Sequence, residues 1–387
     1  MLLDVEEAHS RIDRSFSQIR ATRRVKVWDA VNRVISEDVY SPIDVPERDI
    51  AAMDGYAVNV EGLEKYGKLK VVGKSFPNTV ELPPIEDDQA FYVTTGSPIP
   101  PGANAVIRIE AARLENGYVT SSLRPRPGQD IRPLGEDFRK GDLLIPKGSI
   151  LTERHLGLLL RANVDEVEVV DLRSCVFATG DELVPYYVSD SGKVRDSIGP
   201  IITSYLKRFG TVEYLGVVKD DPHELERVLV DASLRCDLIL SIGGSSMGER
   251  DFVKRVVSRL GDLVFEGVNT NVIKRCGVGK VNGKAFVSLP GQVVSAVTSF
   301  HEFGLHVLET LSGLKLRKVK EVELAQDLEV KHHMDSVYLI KLTDHGATPL
   351  RWGVGLYSEL VKADGYAIFK RGRKYGKGER FEVKLFI

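Results

Sequence analysis

The chain has 387 residues, 43% hydrophobic and 28% charged, with a formal net charge of −2 at pH 7. That length exceeds one ordinary domain and the apolar fraction is ample for packed cores, so about two to four folded units are expected. The near-cancelling charge gives no electrostatic reason to expect nucleic acid, no stretch reaches the about 18 apolar residues of a membrane span, and the acidic start MLLDVEEAHSRI is unlike a signal peptide, so the protein is expected to be cytoplasmic.

Residues 4–21 read as an exposed amphipathic helix. Residues 27–37 read as a second, shorter one, with Val27, Ala30, Val31 and Val34 on one side. After the Pro-marked segment SPIDVPERDI, turn signals separate KLKVVGKSF, QAFYVTTG, NAVIRIE and YVTSSLRP. That spacing predicts a small β-barrel or sandwich over residues 45–126. Residues 127–171 carry Gly-containing turns, a helix that starts at the N-cap Thr152, and the closing strand VDEVEVV. With residues 1–44 they are expected to form a small linking domain.

From Leu172 strands and helices alternate: SCVFATG, GPIITSYLKRFG, TVEYLGVV, PHELERVLVDASLR, CDLILSIGG, DFVKRVVSRLG, AFVSLPG and the long helix VVSAVTSFHEFGLHVLETLSG. This pattern predicts a parallel α/β domain over residues 172–313, whose ligands gather at the carboxyl ends of the strands. Residues 314–387 return to short strands, a second all-β unit. The basic run KRGRKYGKGER reads as a solvated hairpin. The three cysteines, Cys175, Cys236 and Cys276, form no C-x-x-C pair. So sparse and odd a set suits a reducing compartment, with Cys175 and Cys236 as small core residues.

The most informative stretch is residues 238–251, LILSIGGSSMGERD, a buried strand running into a glycine-rich loop and a Glu-x-Asp pair. Such a loop can bring backbone N–H groups to a phosphate, and carboxylates just beyond it can hold the accompanying Mg²⁺. A strand, a tight turn and a helix N-terminus favouring Glu249 and Asp251 would look the same. Four further segments place acids or hydroxyls beside glycine: AMDGYAV with Asp54, TTGSPIPP with Thr95, GQDIRPLGED with Asp137, and TGDEL with Glu182. Each alone is ordinary turn chemistry. The eight histidines are scattered, and no G-x-S-x-G elbow is present. What recurs is the equipment of Mg²⁺-assisted phosphoryl or nucleotidyl chemistry.

In this order AMDGYAV, TTGSPIPPGANAVIRIE, GQDIRPLGEDF, GDLLIPKGSIL, TGDEL, SIGGSSMGERDF and LPGQVVSA resemble the molybdopterin molybdenumtransferase family, MoeA and the E domain of gephyrin. The resemblance implies a multidomain α/β plus β fold. Its parts would be a parallel-sheet α/β domain of the MogA type, a β-barrel-type insertion domain, a small linking domain and a C-terminal β domain. It implies a homodimer, in which the barrel of one subunit helps close the cleft of the other. It also implies Mg²⁺-dependent insertion of molybdate (or tungstate) into adenylyl-molybdopterin, with release of AMP. Carried over by motif, Asp54, Asp137, Glu182, Asp251 and Lys274 would serve catalysis, with Glu182 and Asp251 at the metal. Thr95, Gly243, Gly244, Ser245, Ser246, Gly248, Pro290, Gly291 and Ser295 would contact the pterin nucleotide.

The chain also departs from the family. K-P-G-K-P reads Lys274-Arg275-Cys276-Gly277-Val278, P-G-N-P-V-S reads Pro290-Gly291-Gln292-Val293-Val294-Ser295, and D-S-N reads Asp196-Ser197-Ile198. An expected arginine is replaced in Tyr338-Leu339-Ile340-Lys341, and an expected serine is missing from Gly353-Val354-Gly355. The anion pocket is therefore poorer in positive charge, and Lys341, Arg275 and Lys280 are the cations available to compensate. Two alternatives stay open: a non-catalytic paralog that binds the pterin nucleotide as a scaffold, and the preceding adenylyltransferase step.

Overall fold

A computed structural model describes residues 2–244 and 252–387. The chain divides into two compact units, one of Met1–Glu37, Lys147–Thr152 and Val167–Ile387, the other of Asp38–Pro146 and Glu153–Glu166. The architecture is multidomain α/β plus β, as the sequence predicts.

The first unit opens with helix α1 (Val5–Ser15), which buries Val5, Ala8 and Ile12. Chain extension at Phe16 ends it, earlier than expected, and residues 22–26 run as a strand. The helix expected over residues 27–37 is corrected to a single 3₁₀ turn, Val27–Ala30. Asn32 then takes a left-handed backbone, and Val34 and Ile35 bridge to Ile150 and Val169. The β-branched Val31, Val34 and Ile35 are better accommodated in extended chain than in a helix.

In the other unit a six-stranded sheet is built from β1 (Gly55–Val58), β2 (Leu69–Ser75), β3 (Gln89–Val93), β4 (Ala105–Arg108), β5 (Ala112–Glu115) and β6 (Tyr118–Ser121), in the order β4-β1-β3-β2-β6-β5. Alternation along the strands serves two cores. Tyr56, Val58 and Ile107 join one, and Ala57, Phe91 and Val106 the other. Helix α2 (Val60–Tyr66) is capped by Asn59, whose side chain accepts from Glu61 and Gly62 N–H at 2.9 and 3.2 Å. Helix α3 (Glu153–Arg161) begins one residue after Thr152, where the sequence places it.

The rest of the first unit is doubly wound. Its strands are β7 (Leu172–Thr179), β8 (Gly210–Val218), β9 (Leu238–Ile242), β10 (Leu263–Phe265), β11 (Gly277–Val281) and β12 (Lys284–Leu289), in the order β8-β7-β9-β12-β11-β10. The first four are parallel. The antiparallel pair β10 and β11 was not foreseen. Helices are α4 (Ile198–Leu206), α5 (Pro222–Arg235), α6 (Phe252–Leu260), and α7 (Val293–Ser299), which runs through a π-helical turn, Phe300–Gly304, into α8 (Leu305–Ser312). Val176, Leu240 and Val287 face the core shared with α1, α4, α7 and α8, while Phe177, Ile239 and Phe286 face α5 and α6.

Cys175 and Cys236 lie on that second face, joined by a disulfide. This corrects the reading of two separate thiols. Helix α5 returns the chain so that Cys236, at its C-cap, meets β7. Cys276 remains a free, fully buried thiol.

The C-terminal sheet comprises β13 (Val319–Glu323), β14 (Ser336–Thr343), β15 (Gly346–Pro349), β16 (Gly365–Phe369) and β17 (Arg380–Leu385), in the order β13-β17-β16-β14-β15, with helix α9 (Tyr357–Lys362) between β15 and β16. It is tied to the α/β part by buried charge. Glu302, wholly buried in the π turn, receives Lys384 Nζ at 2.7 Å on both oxygens, Tyr366 Oη at 2.7 Å and His9 Nε2 at 3.1 Å. Burial alone would raise its pKa, but Lys384 and His9 outweigh that and hold the carboxyl well below the usual range.

The neighbouring His301 is pushed down to about 4 by burial, against the pull of its bond to the Val297 carbonyl. A histidine whose folded pKa is depressed contributes stability that is complete above its unfolded value and is lost as pH falls through the folded one. Between its ordinary value of 6.5 and about 4 the His301 contribution should fall by about 3 kcal/mol. Urea unfolding at stepped pH checks this. His301→Gln should flatten the decline over that window, and an unaltered slope would refute the assignment.

Candidate functional site

At the carboxyl ends of all four parallel strands lies a cavity of about 420 Å³. The end of β7 and the segment after it supply Thr179, Gly180 and Glu182; that after β8, Asp220; that after β9, Gly243 and Gly244; that after β12, Gly291 and Gln292. Arg195, Asp196 and Ser197 enter from ahead of α4, Arg275 from ahead of β11, and Tyr357 from α9.

Two glycines make the floor possible. Gly243 and Gly244 have φ of +89° and +65°, the left-handed region that favours glycine. A Cβ on Gly243 would meet the Thr179 carbonyl oxygen at 2.6 Å, and one on Gly244 would meet Val253 and Thr179 side chains at 2.7 and 2.9 Å. The Gly243 N–H is spent on the Leu289 carbonyl at 2.9 Å, which locks β9 to β12 at the cavity edge.

Thr179 Oγ1 donates to Asp220 Oδ1 at 2.6 Å, and Asp181 Oδ1 accepts from the Asp220 N–H at 3.3 Å. Asp196 is buried, accepting from the N–H groups of Ile198 and Gly199 at 3.0 and 2.9 Å and from Tyr214 Oη at 2.7 Å. It thereby caps α4. Burial and then the Asp196 carboxylate push the Tyr214 phenol far above its ordinary range, so it stays a neutral donor. Ser197 and Tyr357 share a hydroxyl–hydroxyl hydrogen bond, which brings α9 to the cavity wall.

Of the site residues expected from sequence, Glu182, Gly243, Gly244 and Gly291 line this cavity, and so do Asp196, Ser197, Ile198, Arg275 and Gln292 from the segments that depart from the family. Ser245, Ser246, Gly248, Glu249 and Asp251 lie outside the described residues. Lys274 is half-buried and is not among the lining residues; its carbonyl accepts from Val268 N–H at 3.1 Å. Pro290 and Ser295 are buried and do not line it either. In the β-rich unit Asp54 accepts from Thr95 N–H at 2.6 Å and Thr95 Oγ1 at 2.9 Å, first the backbone and then the hydroxyl bond lowering its pKa. Asp137 is exposed, with its N–H on the Val45 carbonyl at 3.0 Å.

Sequence reasoning missed Asp220. In V-V-K-D-D-P the visible signal is Asp221, the N-cap of α5, which accepts from His223 and Glu224 N–H. An acid one residue earlier, just past a strand, was the available clue. Burial pushes the Cys276 thiol up to about 12, so it is no nucleophile. Among the described residues no cluster of three or more His, Cys, Asp or Glu is arranged around a metal, and no helix is long and apolar enough to cross a membrane.

Residues 3–162 match the family description "MoeA N-terminal region (domain I and II)" and residues 175–310 match "Probable molybdopterin binding domain". A molybdopterin molybdenumtransferase of Haemophilus influenzae is 34% identical over 318 residues, covering 81% of this chain and 79% of the relative. The chain belongs to the molybdopterin molybdenumtransferase family. A putative molybdopterin biosynthesis protein of Methanocaldococcus jannaschii is 30% identical, over 95% of this chain and 92% of its own. The crystal structure of a MoeA molybdopterin biosynthesis protein from Pyrococcus horikosii superposes with a TM-score of 0.79 at 27% identity, covering 100% of this chain and 99% of that one. For a MoeA-type chain the cavity lies where open α/β sheets take their ligands.

Proposed function

We propose that this chain inserts molybdate (or tungstate) into adenylyl-molybdopterin and releases AMP. The observation that supports this most is the meeting of four parallel strand ends in one polar cavity, in a chain of this family. The bare backbone of Gly243, Gly244 and Gly291 leaves room for a phosphate to approach the sheet edge. Glu182 and Asp220 are the hard oxygen donors that Mg²⁺ takes one or two at a time beside substrate phosphates; the motif resemblance assigns Asp251, outside the described residues, to the same metal. When bound, that ion supplies Lewis-acid stabilisation of charge on the leaving phosphate. Thr179 fixes the Asp220 carboxylate, and Asp196 fixes the start of α4 and with it Ser197. Asp54, Thr95 and Asp137 keep the substrate-orienting role implied by their motifs, and a homodimer is the assembly we propose.

The test is AMP release from adenylyl-molybdopterin with Mg²⁺ and molybdate. Glu182→Gln and Asp220→Asn should each lower the rate by about a hundredfold, in the range seen when one transition-state charge contact is removed. Circular dichroism should stay unchanged. The altered K-P-G-K-P segment favours a second reading, a pterin-nucleotide scaffold; tight binding with no AMP released would establish it and sink the first.

A further inference from the structure

We infer that Arg275, together with Arg195, is the cationic arm that holds an oxyanion in this cavity. The inference deepens the proposed function and rests on it for the identity of the ligand.

Three acids line the cavity, Glu182, Asp196 and Asp220. Asp196 has its oxygens filled by two backbone N–H groups and a phenol, and Asp220 accepts from Thr179. Against them stand two lining cations, Arg195 and Arg275. Both are exposed, and neither makes an ion pair or side-chain hydrogen bond among the described residues. Surface arginines in this structure commonly find an acid, as Arg108 does in Asp130 and Arg132 in Glu136. Here two guanidinium groups reach one concave polar space, and no described acid there engages either. A guanidinium offers five donors in a planar fork, which matches a tetrahedral oxyanion through paired charge-assisted hydrogen bonds.

The other cations are accounted for elsewhere. Lys341 Nζ is held by Asp364 at 3.0 Å. Lys280 Nζ sits 5.6 Å from the centre of the Phe16 ring and lines a separate cavity with Asp237 and Lys284. Lys274 is not among the residues lining this cavity. The turn ahead of β11, closed by Cys276 N–H on the Ile273 carbonyl at 3.1 Å, instead gives the lining position to the next residue. Arg275 thus stands where this chain departs from its family, and its charge is what the departure supplies to the cavity.

Calorimetric titration of the full-length protein with AMP, molybdate and inorganic pyrophosphate tests this. Arg275→Ala should weaken at least one of them by about tenfold or more, the loss expected for a charge-assisted bond. Arg275→Lys should recover part of it, and Lys341→Ala should change nothing. An effect on AMP alone places the arginine on the nucleotide phosphate, and an effect on molybdate alone places it on the free oxyanion; both support the inference. Wild-type affinities in Arg275→Ala, an equal loss in Lys341→Ala, or a wild-type protein that binds none of the three would overturn it. If Arg275 governs pyrophosphate binding but adenylyl-molybdopterin is neither bound nor turned over, the inference stands and the proposed function falls.

Discussion

Glu302→Ala is expected to lower the unfolding free energy by about 3–5 kcal/mol, the usual cost of breaking a buried pair from one side. The carboxylate is wholly enclosed, so its removal strands the Lys384 ammonium and the Tyr366 hydroxyl where little water can replace it. Its partners come from α1, β16 and β17, so the loss is felt in three elements at once. A second knot lies close by. His306 bonds Asp13 at 2.8 Å, and Arg317 reaches Glu309 at 2.7 Å and His306 at 2.6 Å. Burial would raise the Glu309 pKa, but His306 and Arg317 pull it down to about 2. Glu302→Gln should cost less, since it keeps an acceptor for Tyr366. The double variant Glu302→Met, Lys384→Met should recover much of the loss, because no charge is then left buried. Urea titration followed by circular dichroism measures all three; a Glu302→Ala midpoint equal to wild type would sink the argument.

Opening the Cys175–Cys236 bridge, by Cys236→Ser or by reduction, is expected to cost about 4 kcal/mol in the chain-entropy model of cross-linking. The cysteines are 61 residues apart, so the closed loop is long and its constraint on the unfolded chain large. Both are in the core beneath α5 and α6, so the serine hydroxyl also enters an apolar place. Unfolding curves with and without dithiothreitol check this. Coincident curves for the wild type would refute it, as would three reactive thiols in the denatured, unreduced chain.

The βαβ alternation was legible because a buried parallel strand such as LILSI writes itself as a short apolar run between amphipathic helices. The glycines after β9 were legible for the same local reason. What escaped is set by distance. His9 and Glu302, or Cys175 and Cys236, become neighbours only through the whole topology, and nothing beside either residue marks its partner. Whether Lys274 or Arg275 faces the cavity depends on a turn whose direction the following antiparallel pair imposes. The region after Val27 misled because its apolar spacing fits a helix, while its backbone is claimed by residues far along the chain.

The division of the chain has a consequence for its synthesis. Leu3 bridges to Val268, His9 meets Glu302 and Asp13 meets His306, so the first helix leaves the ribosome long before any of these partners exist. Residues 38–146 and 153–166 build three apolar clusters from their own side chains and can collapse while the opening segment still waits. Nascent-chain proteolysis should therefore find the middle of the protein protected first and its earliest residues among the last, the reverse of the order in which they are made.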